Sequence, residues 1–168
     1  PWTLEQLPEP RQRGAGRGDM VASLVWLGVI AGAVLWDHFV GFAPTHPGLS
    51  FFSDNLWPFW IMGLFALLAI EAVLAVAVYA ARGWTFALAV GSAVVDLLVI
   101  SGALSLLAQE RLLNLDFWMT IIPDVDSGAT VTTIMVILTG FTIVGAGVWD
   151  AIDAFLKARR DGGRRLAA

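Results

Sequence analysis

Residues 58–81, PFWIMGLFALLAIEAVLAVAVYAA, decide the fold, because this run of 24 residues contains one charged side chain, Glu71. A helix needs about 20 apolar residues to cross the ~30 Å of hydrocarbon in a bilayer. A core helix of a soluble protein seldom stays apolar on every face for that length. This stretch therefore predicts a transmembrane helix.

Three further stretches have the same character and predict three more spans. The first of them is interrupted by Ser23 and, near its end, by Asp37, and the span after residues 58–81 contains Asp96. Membrane β-strands would be ~10 residues long and alternate in polarity, and these stretches do not alternate. We predict an all-α membrane protein, a four-helix transmembrane bundle over residues 20–156. Its predicted helices are residues 20–41, 58–81, 84–108 and 129–156.

The basic residues lie mostly on one side of the predicted membrane. With four crossings, nine of the ten Lys and Arg residues share the side of both chain ends, and only Arg111 lies opposite. Short loops rich in Lys and Arg stay in the cytoplasm. We therefore expect a multi-pass protein of a bacterial inner (plasma) membrane with both ends inside. Residues 1–19 are predicted to be a cytoplasmic Pro/Gly/Arg linker and 157–168 a basic cytoplasmic tail, and the linker at Pro1 suggests a further piece upstream.

The composition argues against several classes of function. With 58% hydrophobic and 14% charged residues, the chain is far from an average soluble domain. It has no cysteine and two histidines, which excludes disulfides, thiolate metal sites and a Cys nucleophile. The sequence contains no P-loop, GxSxG, HExxH or nucleic-acid module. We expect no enzymatic activity, no cofactor, no metal and no nucleic-acid partner.

Two acids, Glu71 and Asp96, fall inside predicted spans. Counting ~1.5 Å per residue from the cytoplasmic helix ends places both about 15–18 Å deep, near the midplane. The second and third helices are joined by a very short turn, so we expect the two carboxyls to be neighbours. No Lys or Arg lies at that depth, and an ionised acid in hydrocarbon costs ~3 kcal/mol or more. We expect at least one of the two to be protonated.

Three hydroxyls complete this candidate intramembrane polar site. Ser92 lies one turn before Asp96, and Thr139 and Thr142 of the fourth helix stand at similar depth. Hydroxyls can donate to and accept from carboxyl groups. Three interpretations remain open: hydrogen-bonded acids that hold helices together, a sensor or proton/cation site, and a contact with a polar group of a partner membrane protein.

Small residues mark two helix faces that are suited to packing. Gly28 and Gly32 form a GxxxG pattern on the first helix, which allows another helix to approach closely. Gly140, Gly145 and Gly147 give the fourth helix a similar face. The neighbour is either another helix of the bundle or another subunit.

Asp37 and His38 lie where the first helix leaves the membrane on the predicted outer side. A His beside an Asp at an exposed surface can respond to pH, and the alternative is a solvated helix end. The outer loops also carry large apolar side chains such as Phe51, Phe117 and Trp118. These predict segments that lie in the interface or cap the bundle.

Asp150 and Asp153 follow the fourth apolar stretch at its predicted cytoplasmic end. Asp153 and Lys157 are spaced for an i, i+4 ion pair. Together they predict a solvated continuation of the helix, with a basic anchor to anionic lipid.

Short motifs spread over nearly the whole chain add a resemblance. They are Pro1-Trp2-Thr3, Arg17-Gly18-Asp19, Trp57-Pro58-Phe59-Trp60, Glu71-Ala72-Val73, Gly83-Trp84-Thr85, Arg111-Leu112-Leu113-Asn114 with Phe117, Gly128-Ala129-Thr130-Val131-Thr132-Thr133, and Trp149-Asp150-Ala151-Ile152-Asp153-Ala154-Phe155 with Lys157. In this order they resemble the membrane region of actinobacterial proteins that carry an upstream helical HAAS signalling domain, of the permease-prefix type. The resemblance implies a cytoplasmic helical domain upstream. It also implies a regulatory role, because proteins of this kind tend to be encoded near PadR-like regulators. It implies no catalytic residues, and family members often carry amides where this chain has Ser92 and Asp96.

The sequence thus predicts a non-enzymatic membrane module of a regulatory or signalling protein. Such a module passes a membrane or outer-face signal to a cytoplasmic regulator or transporter through helix packing. One alternative is an accessory subunit that docks on a larger membrane complex, and another is a small proton- or cation-coupled carrier that uses Glu71 and Asp96. The expected partners are the lipid bilayer and the helices of other membrane proteins or of a second copy.

Overall fold

Four long helices form the body of the protein in a computed structural model that describes residues 16–43, 45–121 and 128–166. The helices are α1 (Arg17–Phe39), α2 (Phe59–Ala80), α3 (Phe86–Ala108), the short α4 (Leu115–Ile121) and α5 (Gly128–Leu166). The four long ones are long and apolar enough to cross a membrane, and the described residues form no β-strand. The prediction of an all-α fold with four membrane-spanning helices is confirmed.

Local hydrogen bonds explain where two of the helices begin. The Asp19 carboxylate accepts the N–H of Gly16 at 3.0 Å, so α1 begins at Arg17 rather than at residue 20. Residues 17–19 therefore belong to the helix, and residues 1–15 of the predicted linker lie outside the described residues. The Thr85 hydroxyl accepts the N–H of Leu88 at 3.2 Å and caps the start of α3.

The last helix departs furthest from its predicted bounds. α5 has 39 residues and continues to Leu166, so residues 157–166 extend the helix instead of forming a separate tail. At ~1.5 Å per residue, it is about 58 Å long, nearly twice the thickness of the hydrocarbon layer. Helix length alone therefore does not fix which part of α5 lies in the membrane.

The helices pack in chain order. α1 packs against α2, α2 against α3, and α3 most extensively against α5. Four contacts define one antiparallel register between α3 and α5: Leu107 with Gly140, Ile100 with Gly147, Ala89 with Ala154, and Trp84 with Asp161. This register pairs residues 140–161 of α5 with the whole of α3. The bounds of the membrane-spanning part of α5, residues 129–156, stay a prediction.

One end of the bundle, here named the capped end, is closed by α4 and the loops that follow α1 and α3. Phe52 and Leu113 form an antiparallel bridge between these loops. The N–H of Ser53 donates to Leu112 O at 3.1 Å, and the N–H of Asn114 donates to Phe51 O at 2.9 Å. Beneath the bridge lies an apolar core of Val34, Leu56, Ile61, Leu106, Leu107, Leu112 and Leu113. The apolar loops that follow α1 and α3 are thus an ordered cap.

The opposite end, here named the open end, holds the start of α1, the turn 81–85 and the last turns of α5. The Asp161 carboxylate accepts the N–H of Trp84 at 2.8 Å and fastens α5 to the turn. A side chain at position 83 would meet this carboxylate, and Gly83 (φ 152°) also has a backbone conformation that other residues rarely adopt. Among the described residues, α1 and α5 do not pack extensively against each other.

Candidate functional site: an acidic cleft at the open end

A cleft of about 670 Å³ separates α1 from α5 at the open end. α1 and α5 form its walls, while α2 and α3 form its floor. The cleft exists because α1 packs on α2 and α5 packs on α3, with no extensive contact between α1 and α5. We name it the acidic cleft, because its charged lining residues are Asp19, Glu71, Asp150, Asp153 and Lys157.

Glu71 lies on the floor of the acidic cleft and has one polar partner. The Ser92 hydroxyl, which is only 4% exposed, donates to Glu71 Oε1 at 3.3 Å and to Oε2 at 3.4 Å. Both distances are long for an O–H···O bond, and one proton is shared between two acceptors. Ser92 thus joins α3 to α2 but satisfies the Glu71 carboxylate only weakly.

Asp96 lies one turn further along α3, against α5. A side chain at Gly147 would come within 3.9 Å of Asp96 Cβ, which shows how closely the two helices approach there. Asp96 Oδ2 is buried and has no hydrogen-bond partner among the described residues. Its charge acts on Glu71, so the two acids predicted to share a depth are electrostatic neighbours.

Asp150 is a third acid at this level, and the sequence analysis missed it. The α3–α5 register places Asp150 beside Asp96, and its charge acts on both Asp96 and Glu71. Asp150 is exposed, in agreement with the predicted solvated continuation of the helix, but its charge also reaches the two acids of the predicted site. A signal existed in the sequence, because Gly140, Gly147 and Ala154 recur every seven residues and mark one packing face that runs past Asp150.

Lys157 is the cation of the acidic cleft, and it is already engaged. Its Nζ lies 2.5 Å from the Asp153 carboxylate, which confirms the predicted i, i+4 pair. Such half-exposed pairs are worth about 0.3–0.5 kcal/mol. In the part of the chain that the structure describes, neither Lys nor Arg forms an ion pair with Glu71, Asp96 or Asp150. The cleft therefore carries an excess of acidic groups.

The two threonines predicted as partners of the acids do not serve that purpose. Thr142 is exposed and donates to the backbone oxygen of Leu138 at 2.8 Å, within its own helix. Thr139 is half-buried and has no hydrogen bond to either acid among the described residues. The α3–α5 register explains this, because it sets both threonines nearer to the capped end than the acids.

The predicted glycine faces have different environments. A side chain at Gly140 would touch Leu107 of α3, whereas Gly28, Gly32 and Gly145 have open space where a side chain would lie. Gly147 rather than Gly145 makes the second close approach to α3, since a Cβ there would overlap the end of the Ile100 side chain. The GxxxG face of α1 is thus not covered by another described part of this chain.

Asp37 and His38 belong to the cap and not to a solvated helix end. Asp37 is only 2% exposed, and its two oxygens accept the N–H groups of Phe51 at 2.7 Å and Phe52 at 2.8 Å. His38 stacks on Trp57 with 4.2 Å between the ring centroids, and its Nδ1 lies 3.9 Å from Asp54 Oδ1. Asp37 therefore fastens the loop to α1, while a pH response of His38 stays a prediction.

No family model matches the chain, and no curated protein or solved structure matches it significantly. Within residues 16–43, 45–121 and 128–166, no three His, Cys, Asp or Glu side chains are grouped closely enough to hold a metal ion. The three acids share an electrostatic field rather than one coordination sphere.

Proposed function

We propose that the chain is the membrane module of a regulatory protein, in which the charge on the acidic cleft controls how α1 and α5 pack. One observation carries the proposal. Glu71, Asp96 and Asp150 come from three helices to one level, where the cleft between α1 and α5 ends. Ionisable groups inside a membrane usually mark functional sites, and proton relays are a common case.

The proposed mechanism follows from repulsion between like charges. When the acids are ionised, they repel one another and hold water in the cleft, so α1 and α5 stay apart. Protons or a cation remove the repulsion, and the two helices close on each other. Small helix shifts of this kind are a known means of switching. The change reaches the start of α1 and the end of α5, which both lie at the open end.

The regulatory role and the orientation rest on the sequence. The resemblance to HAAS-type membrane proteins supplies the partner class, a cytoplasmic regulator or transporter. The bias of Lys and Arg supplies the orientation, with the open end in the cytoplasm of a bacterial cell. In this proposal the capped end is the fixed outer side, and the helix ends at the open end deliver the signal.

The proposal is tested by measuring the distance between α1 and α5. The chain has no cysteine, so the double variant Gly18→Cys/Arg159→Cys takes two spin labels at the open end. The distance between the two labels is measured by double electron–electron resonance in proteoliposomes at pH 8 and pH 5. We expect it to be about 2–5 Å shorter at pH 5, the size of known helix shifts.

The matched variants separate the cleft from other acids. When Glu71→Gln, Asp96→Asn and Asp150→Asn are combined with the double-cysteine variant, we expect the shorter label distance at both pH values. Combining it with Asp116→Asn at the capped end instead should leave the pH dependence of the distance intact. The proposal is contradicted if the label distance does not change with pH when the acidic cleft is unaltered. It is also contradicted if the distance still changes with pH after all three acids are replaced.

A proton- or cation-coupled carrier is the second candidate. It is favoured by one observation, namely that Glu71 and Ser92 line a cleft that opens at one end of the bundle. Transport would also require the capped end to open. Proton or cation flux into proteoliposomes that Glu71→Gln abolishes would support the carrier. The absence of any flux would contradict the carrier and favour the regulatory module.

The accessory-subunit alternative is favoured by the uncovered glycines of α1. Because Gly28 and Gly32 have open space around them, a partner helix can approach closely there. Purification in mild detergent tests this directly. A stoichiometric membrane protein that is retained by the wild type and lost from Gly28→Leu/Gly32→Leu would support docking at this face.

A further inference from the structure

A second cavity of about 670 Å³ lies on another side of the bundle, between α2 and α3 near the capped end. We name it the lateral groove. Val34 of α1 contributes to its lining, while Phe52 and Leu112 come from the cap. Apart from backbone atoms, its walls are apolar side chains and glycines. It is therefore chemically the opposite of the acidic cleft.

The groove exists because α2 and α3 pack closely only on one side of it. Toward the open end, Gly91 of α3 admits Leu74 of α2, with 3.4 Å between Leu74 Cδ2 and a Cβ built on the glycine. Toward the capped end, Gly63 and Gly102 both line the groove, and neither has a neighbour within 4 Å of a Cβ position. Because both residues are glycines, no side chain fills the space between α2 and α3 there.

The groove is continuous with the surface that faces lipid. Phe59, Met62 and Leu98 line it and are 75%, 65% and 53% exposed on the outside of the bundle. An apolar groove does not hold ordered water, which needs two or more polar partners. An empty groove would forfeit the dispersion contacts of its walls. The material that already surrounds these side chains in a membrane is hydrocarbon, so hydrocarbon fills the groove.

The size of the groove distinguishes a lipid chain from a helix. A helix with its side chains is ~10–12 Å wide, so a cavity of about 670 Å³ could hold less than ~10 Å of its length. A cavity of about 670 Å³ is within the ~300–1,000 Å³ of small-molecule sites. We propose that the lateral groove binds one acyl chain of a membrane phospholipid. The headgroup then lies beside Trp60, since Trp favours the headgroup region.

The proposal is tested with a phosphatidylcholine that carries a photoactivatable diazirine on one acyl chain. The purified chain is reconstituted in vesicles of this lipid and unlabelled phosphatidylcholine, irradiated and mapped by mass spectrometry. We expect cross-links to concentrate on the half-buried Leu67 and Val99 inside the groove, above those on the exposed Val25 and Val29 of α1. Gly63→Leu or Gly102→Leu should lower the groove cross-links about tenfold, the effect of displacing about two buried methylene groups.

Gly28→Leu is the matched control, because Gly28 also has open space but lies outside the groove. It should leave the cross-links on Leu67 and Val99 unchanged. Either groove variant is sufficient for the test, provided that it elutes as one species with the wild-type helix content. Groove cross-links no stronger than those on Val25, or unaffected by both leucines, would overturn the proposal. So would a change from dimer to monomer in the groove variants, since a second copy would then be the occupant.

Discussion

The two ends of this bundle treat their acidic groups in opposite ways. At the capped end, Asp37 is buried and accepts two short hydrogen bonds from backbone N–H groups. At the open end, Glu71 has one weakly bound hydroxyl, and Asp96 Oδ2 has no hydrogen-bond partner in the described part of the chain. A buried polar group usually has a defined partner. The capped end therefore serves stability, and the open end retains acids whose charge can change.

The difference also separates a fixed from a movable contact. The loops of the capped end are joined by backbone hydrogen bonds and an apolar core. At the open end, α5 is fastened to the turn after α2 through Asp161, whereas α1 packs mainly on α2 among the described residues. A change in the acidic cleft can then move α1 relative to α5 without disturbing the cap.

Removing the Asp37 carboxylate should have the largest effect. Asp37→Ala deletes two hydrogen bonds to a charged acceptor, each worth about 1.5–3 kcal/mol. We expect the free energy of unfolding in mixed detergent to fall by about 3 kcal/mol or more. Circular dichroism during a titration with dodecyl sulfate measures this change. Asp116→Ala, an exposed acid of the same end, is the control and should change little. If Asp37→Ala lowers the free energy of unfolding no more than Asp116→Ala does, the buried acid of the capped end is not a stabilising one.

Asp161→Ala should have a smaller effect, confined to the open end. It removes the acceptor for the Trp84 N–H and should cost about 1–2 kcal/mol. Hydrogen exchange should increase at Trp84 and in the last turns of α5 but stay unchanged in the loops of the cap. Exchange that rises equally at both ends would mean that the ends are not independent.

Neutralising an acid of the open end should stabilise the protein. Asp150→Asn removes a charge that repels Glu71 and Asp96, and because solvent screens this exposed carboxylate, we expect only about 0.5 kcal/mol of added stability at pH 8. The gain should shrink at pH 5, because the wild-type carboxyls then take up protons and lose the same repulsion. Destabilisation at pH 8 would indicate that Asp150 is a structural acid like Asp37.

Thr142→Val should have the smallest effect. The Thr142 hydroxyl bonds within its own helix and does not reach the acids, so stability should stay within about 0.5 kcal/mol. The pH response of the distance between α1 and α5 should also be unchanged. A lost response would restore Thr142 to the polar site.

The sequence was sufficient for the four spans and for the matching depth of Glu71 and Asp96, because hydropathy and helix rise are local properties. It was insufficient for Asp150, whose depth depends on how α5 slides along α3. It was also insufficient for Asp37, whose partners come from a loop 14 and 15 residues further along the chain. Thr139 and Thr142 were placed wrongly for the same reason as Asp150. Register between helices and contacts between loops are tertiary properties that no single stretch encodes.

Thiol accessibility tests the central claim most directly, namely that water reaches the acid level from the open end alone. A Cys at Leu27, which lines the acidic cleft about 15 Å deep, is compared with a Cys at Val25, exposed on α1 outside the cleft. Arg159→Cys and Thr45→Cys report the open and capped sides of sealed proteoliposomes. With a membrane-impermeant reagent, we predict that Leu27→Cys reacts from the Arg159 side and that Val25→Cys stays unreactive. Reaction of Leu27→Cys from the Thr45 side, or from neither side, would contradict the account.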